Sequence, residues 1–300
     1  MIEVNNIRKT YGDTVALDAV TLSVGKGELF GLIGPDGAGK TSLFRILTTL
    51  LLPEGGSATV NHHDVVKDYK KIRKEAGYMP GNFSLYQDLS VEENLQFFAS
   101  IFHTDIQTNF EIIRSIYEPL APFKNRRAGA LSGGMKQKLA LCCSLIHNPP
   151  VLFLDEPTTG VDALSRQEFW ETLHELKKKG VTILVSTPYM DEASLCDRIA
   201  MIQAGHLIGI GTPAEIISGF TKPLWSVSGM DIYRLLKDLQ DFQQTDSCSL
   251  FGNNIHVTLK NGVADVSALK EYLLRKGHET ASINPVAPVI EDCFIERMKE

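Results

Sequence analysis

The stretch "LFGLIGPDGAGKTSLFRIL" constrains this chain more than any other. A short apolar run leads into the glycine-rich turn "GPDGAGKTS" (34–42), and a helical pattern follows. Strand, loop and helix in that order form the setting in which G-x-x-x-x-G-K-[ST] folds as a phosphate-binding loop. Gly34, Gly37 and Gly39 let backbone amides approach phosphate oxygens without side-chain interference, with Asp36 and Ala38 filling the turn between them. Lys40 supplies a point charge for the β- and γ-phosphate oxygens, and the Thr41 hydroxyl a ligand for Mg²⁺. Thr41 and Ser42 open the helix, where unpaired amides and the macrodipole favour an anion.

"VLFLDEP" (151–157) supplies a matching half. Four apolar residues read as a buried strand, and two carboxylates follow. Asp155 can hold the Mg²⁺ shell, and Glu156 can orient and polarise water for attack on a γ-phosphate, which makes it the candidate catalytic residue. Paired carboxylates after a strand also cap helices, but beside a phosphate loop they complete a nucleotide-triphosphate site.

The rest of the chain is consistent with that site and narrows it. A net charge of -6 argues against a nucleic-acid sleeve. No run reaches the roughly 18 apolar residues of a membrane helix, and the start lacks the apolar core of a secretory signal, so a cytoplasmic protein is expected. The five cysteines show no metal-ligand spacing and read as core residues. The adjacent His62 and His63 fall in an expected turn and make a poor metal site by themselves.

Short strands ("ELFGLIG", "VLFLDE", "VTILVST", "RIAMIQ") alternate with helices over residues 1–220, which implies a mainly parallel sheet with helices on its faces. One expected helix, "KTSLFRILTTLLL", runs to Pro53. Residues 84–150 break the alternation and read as a helical insert. Residues 221–300 change character. The order βαββαβ there suggests a small accessory α+β domain with a ferredoxin-like layout. Trp225, Tyr233 and Tyr272 are expected in its core.

Between the two halves of the nucleotide site lies "LSGGMKQKLALCCSL" (131–145), where Ser132, Gly133 and Gly134 open a helix and form a second candidate anion site. One nucleotide in one chain does not need two such sites. Two facing chains do, each phosphate loop being covered by the other's Ser-Gly-Gly. With "GPDGAGKT", "LSGGMKQK", "LFLDEPTTGVD" and "STPYMDEA" in this order and spacing, residues 1–220 resemble the ATP-binding cassette (ABC) ATPases. The resemblance implies a P-loop NTPase fold, ATP and Mg²⁺ as cofactors, Tyr11 stacking on adenine and Asp162 in the dimer-contact loop. "LYQDLSVEENL" resembles the segment that receives the membrane subunit's coupling helix. Asp36, where most cassettes carry Asn, and the ending "VAPVIEDCFIERM" resemble the ABC-2-type export ATPases, including the daunorubicin-resistance type. The expected partners are a second cassette and an ABC-2-type permease, with no nucleic acid. The expected place is the cytoplasmic face of the cell membrane, held there by the permease.

Two positions depart from the family pattern. Pro188 stands where the family carries a His that bonds the γ-phosphate and the attacking water. Gly81 stands where it carries a Gln that senses Mg²⁺ and water. Neither residue has a side-chain donor. Asn82 and Tyr189 each lie one place away. The expectation is an ATPase whose own site binds ATP but turns over slowly, while its Ser132-Gly133-Gly134 helix serves a complete partner cassette. The alternative is a regulatory ATP-binding cassette with little or no hydrolysis. The ABC proteins of translation and DNA repair fit less well, because they usually carry two cassettes or long coiled-coil arms.

Overall fold

The computed structural model describes residues 1–260 and 265–299. The chain divides into two compact units, Met1–Pro213 and Ala214–Glu300, seven residues earlier than the composition shift near residue 220 suggests.

The first unit begins with two long strands, β1 (Ile2–Tyr11) and β2 (Thr14–Val24), followed by β3 (Leu29–Ile33) and helix α1 (Lys40–Leu47). Next come β4 (Gly55–Val60), β5 (His63–Asp64), α2 (Tyr69–Glu75) and β6 (Ala76–Met79). Three helices then intervene, α3 (Val91–Ile101), α4 (Phe110–Tyr117) and α5 (Gly133–Leu145). The unit closes with β7 (Val151–Asp155), α6 (Ala163–Lys178), β8 (Thr182–Thr187), β9 (Arg198–Gln203) and β10 (His206–Gly211).

These strands form two sheets. A six-stranded sheet runs β10-β9-β3-β8-β7-β6 and is parallel except for the β10–β9 edge pair. Every residue of β3, β7 and β8 is buried, which is why these three strands read as unbroken apolar runs. A second sheet, β2-β1-β4-β5, is wholly antiparallel. β1 and the end of β4 alternate buried and more exposed residues loosely, with register shifts, so the sequence pattern there is weak.

Helix α1 ends at Leu47, short of the expected Pro53. The Thr48 hydroxyl donates back to the Phe44 carbonyl at 2.7 Å, and Thr49 takes a positive φ of 64°. Two successive β-branched residues, one bonding back to the helix and the other accepting from Arg73 Nε at 2.8 Å, favour that exit over another helical turn. Helix α3 starts at a full capping box, Ser90 with Glu93. No helix among the described residues is long and apolar enough to cross a membrane.

The second unit follows a short helix at the boundary, α7 (Pro213–Ser218). Its elements are β11 (Leu224–Ser228), α8 (Ile232–Asp241), β12 (Thr245–Phe251), β13 (Asn254–Leu259), α9 (Ser267–Arg275), β14 (Ser282–Pro285) and α10 (Ile290–Arg297). The sheet order β12-β13-β11-β14 is antiparallel throughout, with the first strand of the unit between its third and fourth. Leu235 and Leu239 of α8 and Leu269 and Leu273 of α9 pack on the buried face of β11 and β13. Trp225 is half-buried and Tyr272 packs against this core, but Tyr233 is 74% exposed and lies outside it. Tyr233 sits beside Ile232 on a helix whose inward stripe is completed by Leu235, Leu236 and Leu239, so its own direction faces water. Of the five cysteines, Cys142, Cys143, Cys196 and Cys293 are buried and Cys248 is half-buried, all as free thiols. Burial pushes the Cys142, Cys143 and Cys196 thiols far up, as suits packing rather than reactivity.

Candidate functional site: a nucleotide cavity between the phosphate loop and two strand ends

The loop 34–39 connects β3 to α1 and is shaped by its glycines. Gly39 has a φ of +109°, and a Cβ there would collide with the Ala16 carbonyl. Gly34 is packed as tightly, against the Ile202 carbonyl. Ala38 is buried, and its carbonyl accepts from Gly205 N at 3.0 Å, whereas Asp36 is exposed. The loop thus has one fixed path, and it points the first amides of α1 into a cavity of about 260 Å³. Tyr11, Gly37, Gly39, Lys40, Thr41, Ser42 and Glu156 line that cavity. The Tyr11 hydroxyl lies 3.4 Å from the Ser42 hydroxyl, which holds the ring at the cavity's edge.

Lys40 is only 3% exposed. Its ammonium donates to the Gly34 carbonyl at 2.7 Å and the Pro35 carbonyl at 2.9 Å, and it pairs with Glu156 Oε1 at 3.0 Å. A buried ammonium needs such partners. Lys40 and Glu156, predicted from two separate motifs far apart in the sequence, therefore meet directly.

Asp155 ends β7 and Glu156 follows it with a φ of 51°. A non-glycine residue in that region costs about 1 kcal/mol or more. The Glu156 amide is secured by donating to both the carbonyl and the hydroxyl of Ser186, at 3.1 and 3.0 Å. The Ser186 hydroxyl in turn donates to Asp155 Oδ1 at 2.6 Å. Thr41, Asp155 and Glu156 share a second cavity of about 370 Å³ with Arg45, Tyr78, Gly81 and Asn82. Burial and the Asp155 charge push the Tyr78 phenol up to about 12, so it stays a neutral donor.

The donor types fit a magnesium nucleotide. Among the described residues no cluster of three or more His, Cys, Asp and Glu is placed to hold a metal. A hydroxyl and one carboxylate beside a phosphate cradle are what Mg²⁺ uses when phosphates and waters complete its shell. Thr41 and Asp155 are the residues that would supply those two ligands.

The two departures are placed differently, Gly81 lining the second cavity and Pro188 lining neither. Pro188 follows Thr187 at the end of β8. At Gly81 an added Cβ would stand 3.0 Å from the Asp155 carbonyl, a tight fit for any side chain. Asn82, the next residue, lines the cavity with Thr41, Asp155 and Glu156. Tyr189 lines neither cavity, and its ring lies under the Arg166 guanidinium at 5.1 Å.

The remaining predicted residues are placed elsewhere. Ser132 and Gly133 are exposed at the start of α5, where the Ser132 hydroxyl caps Met135 N at 3.4 Å. Gly134 packs so closely on Ser165 that a side chain would displace it. Ser132, Gly133 and Gly134 line neither nucleotide cavity. Asp162 is an exposed cap of α6, accepting from Ser165 N at 3.0 Å, and that bond holds its carboxyl below the usual range. Ser186, Thr187 and Tyr78 were not among the predicted site residues. Their only signal was a polar Ser-Thr pair ending an apolar strand and a Tyr before "MP".

A glycine-turned phosphate loop, a lysine in its cradle and a carboxylate pair at the neighbouring strand end define a P-loop nucleotide-triphosphate-binding protein. The ABC transporter family matches residues 17–159. The probable multidrug ABC transporter ATP-binding protein YbhF of Escherichia coli K12 is 44% identical over 218 residues, covering 72% of this chain and 38% of YbhF. The chain thus spans well under half the length of that relative. The daunorubicin resistance ATP-binding protein DrrA3 of Streptomyces coeruleorubidus is 39% identical over 72% of this chain and 69% of DrrA3. Among solved structures, the dimeric ATP-binding cassette MJ0796 in a post-hydrolysis state bound to ADP and Pi matches with a TM-score of 0.64 and 25% identity. That match covers 71% of this chain and 98% of MJ0796. The chain belongs to the ABC transporter family, as an ATP-binding member.

Proposed function

We propose that this chain is the ATP-hydrolysing subunit of an ABC exporter whose own site binds ATP well and turns it over slowly. The observation that carries the reading is the convergence of Lys40, Thr41, Asp155 and Glu156 on adjoining cavities, beside a strand end and a loop that lack side-chain donors at Pro188 and Gly81. Tyr11 stacks on the base, the loop amides and Lys40 hold the phosphates, and Thr41 and Asp155 hold Mg²⁺, which supplies charge neutralisation when bound. Glu156 orients and polarises the attacking water once a phosphate competes for Lys40. Loss of one preorganised donor typically costs about 10²–10³ in rate, and losses in one unit do not add.

The exposed Ser132-Gly133-Gly134 helix start and the exposed Asp162 cap support a second cassette as partner, whose nucleotide that helix start completes. An apolar cavity of about 260 Å³ lined by Phe83, Leu85, Phe98 and Phe102 supports docking of a permease segment beside the 82–85 loop. This docking would place the chain on the cytoplasmic face of the membrane. The names of YbhF, a probable multidrug ABC transporter protein, and DrrA3, a daunorubicin resistance protein, support drug-like solutes as the cargo, and export through an ABC-2-type permease belongs to the same reading.

The test is steady-state ATP turnover by the purified chain beside Glu156→Gln, with ATP affinity measured on both. The expected result is tight binding by both and turnover close to that of the variant. Brisk turnover abolished by Glu156→Gln overturns the slow-site reading in favour of a homodimeric exporter ATPase. Absence of ATP binding overturns the nucleotide reading altogether.

A further inference from the structure

One buried carboxylate beside the site has no part in the chemistry above. Glu192, in the turn Met190–Leu195, is 2% exposed. Its Oε2 accepts from the Thr187 hydroxyl at 2.5 Å and from the Thr158 hydroxyl at 3.2 Å. Its Oε1 makes no hydrogen bond and lies 3.8 Å from Arg166 Nε. A buried carboxylate held this way is costly unless its partners are fixed, so its partners show what it holds in place.

Those partners belong to two different segments. Thr187 ends β8. Its carbonyl accepts from Gly34 N of the phosphate loop at 3.3 Å, and its hydroxyl accepts from Tyr189 N at 3.0 Å. Thr158 lies two residues beyond Glu156, in a turn closed by Thr159 N to Glu156 O and Val161 N to Thr158 O, both 3.2 Å. That turn leads to Asp162 and to α6, which carries Arg166. A single carboxylate therefore links the phosphate loop, through β8, to the exposed edge at Asp162.

We propose that Glu192 is a positioning residue that fastens the Glu156–Asp162 turn to the end of β8, so that the nucleotide-facing carboxylate and the exposed Asp162 edge move as one piece. The functional half of this inference rests on the reading that Glu156 faces ATP and Asp162 faces a second cassette. At a strand end followed by proline, the Ser186 and Thr187 hydroxyls and Glu192 are what fix the geometry.

Amide hydrogen exchange on the full chain tests the fastening without nucleotide. Glu192→Ala is expected to speed exchange at the Thr159 and Val161 amides about 10- to 100-fold, the range for losing hydrogen bonds to a charged group. Glu192→Gln, which keeps an acceptor but not the charge, gives a smaller rise. Thr158→Val raises exchange in the native background and adds nothing on top of a Glu192 substitution, the mark of a shared link. If Glu192→Ala does not fold, Glu192→Gln and Thr158→Val complete the same cycle. The inference is overturned if exchange at 159 and 161 is unchanged, if the two substitutions add independently, or if the rise spreads equally to β7 and the phosphate loop. With MgATP, protection should reach 159–161 in the native chain and stop at the phosphate loop in the Glu192 variant. Failure of MgATP to protect residues 37–42 at all counts against the nucleotide reading and leaves the nucleotide-free result to decide the fastening.

Discussion

The site has two edges, and they are built differently. On the phosphate-loop edge the groups that cradle phosphates come from one unbroken stretch, Gly34 to Ser42, locked by close packing of Gly34 and Gly39 against neighbouring carbonyls. On the β8 edge the side chain at 188 has nothing to donate, and the geometry is carried by hydroxyls one and two residues earlier. Ser186 bonds to Asp155 and Glu156, and Thr187 bonds to Glu192. The first edge binds charge that is already present in the substrate. The second would stabilise charge that develops during reaction. Losing donors only from the second lowers rate without lowering affinity.

The sharpest way to break this comparison is Lys40→Ala. Removing a buried ammonium that bonds two loop carbonyls and pairs with Glu156 should weaken ATP binding roughly 10²-fold. A titration with a fluorescent ATP analogue that shows less than a threefold change would mean the loop amides alone hold the phosphates. Pro188→His addresses the other edge. It is expected to raise turnover by up to about 10²-fold with ATP affinity unchanged, because it restores one aimed donor. No gain would show that the β8 edge already has a working substitute, and Asn82 is the residue placed for it. Adding Gly81→Gln should help less, since its Cβ must displace the chain from the Asp155 carbonyl.

Tyr11→Ala removes a half-exposed ring from the cavity's edge and should cost up to about tenfold in ATP affinity, with little effect on turnover at saturation. An isothermal titration that finds no loss would place the base elsewhere. The smallest effect lies away from both edges and sets the pH window in which they can be compared. His147 stacks on Phe102 at 3.7 Å, and burial pulls its imidazole down to about 4. The unfolded chain takes up that proton near pH 6.5 and the folded chain does not. Its contribution to stability is therefore complete above about 6.5 and is lost progressively as pH falls towards 4. Thermal melts at pH 7 and 4.5 should show a smaller acid-induced drop for His147→Phe than for the native chain. An equal drop would assign acid sensitivity to other groups.

How far the sequence could be read follows the same division. The phosphate loop, β7 with its two carboxylates, and β8 are local patterns, in which each residue's role depends on neighbours within a few positions. The antiparallel sheet β2-β1-β4-β5 was not legible, because its strands have interrupted register and loose alternation. The early end of α1 depended on the Thr48 hydroxyl bonding back to Phe44 and on the positive φ of Thr49, choices that an apolar run conceals. In the second unit, the apolar spacing 232, 235, 236 and 239 reads as the helix α8, but that spacing alone could not tell that Tyr233 would face water.

The sequence by itself determined the phosphate loop and the pairing of Thr41 and Asp155 as candidate Mg²⁺ ligands, because these follow from residue chemistry and short spacing, while Gly81 and Pro188 stand out only against the family pattern. Only the tertiary structure decided that Lys40 meets Glu156, that Asn82 and not Tyr189 faces the cavity, and that Glu192 ties Thr158 to Thr187. Each of these joins residues brought together by parallel strands and the loops at their ends. Parallel pairing places distant segments side by side through crossovers that leave no local mark in the chain.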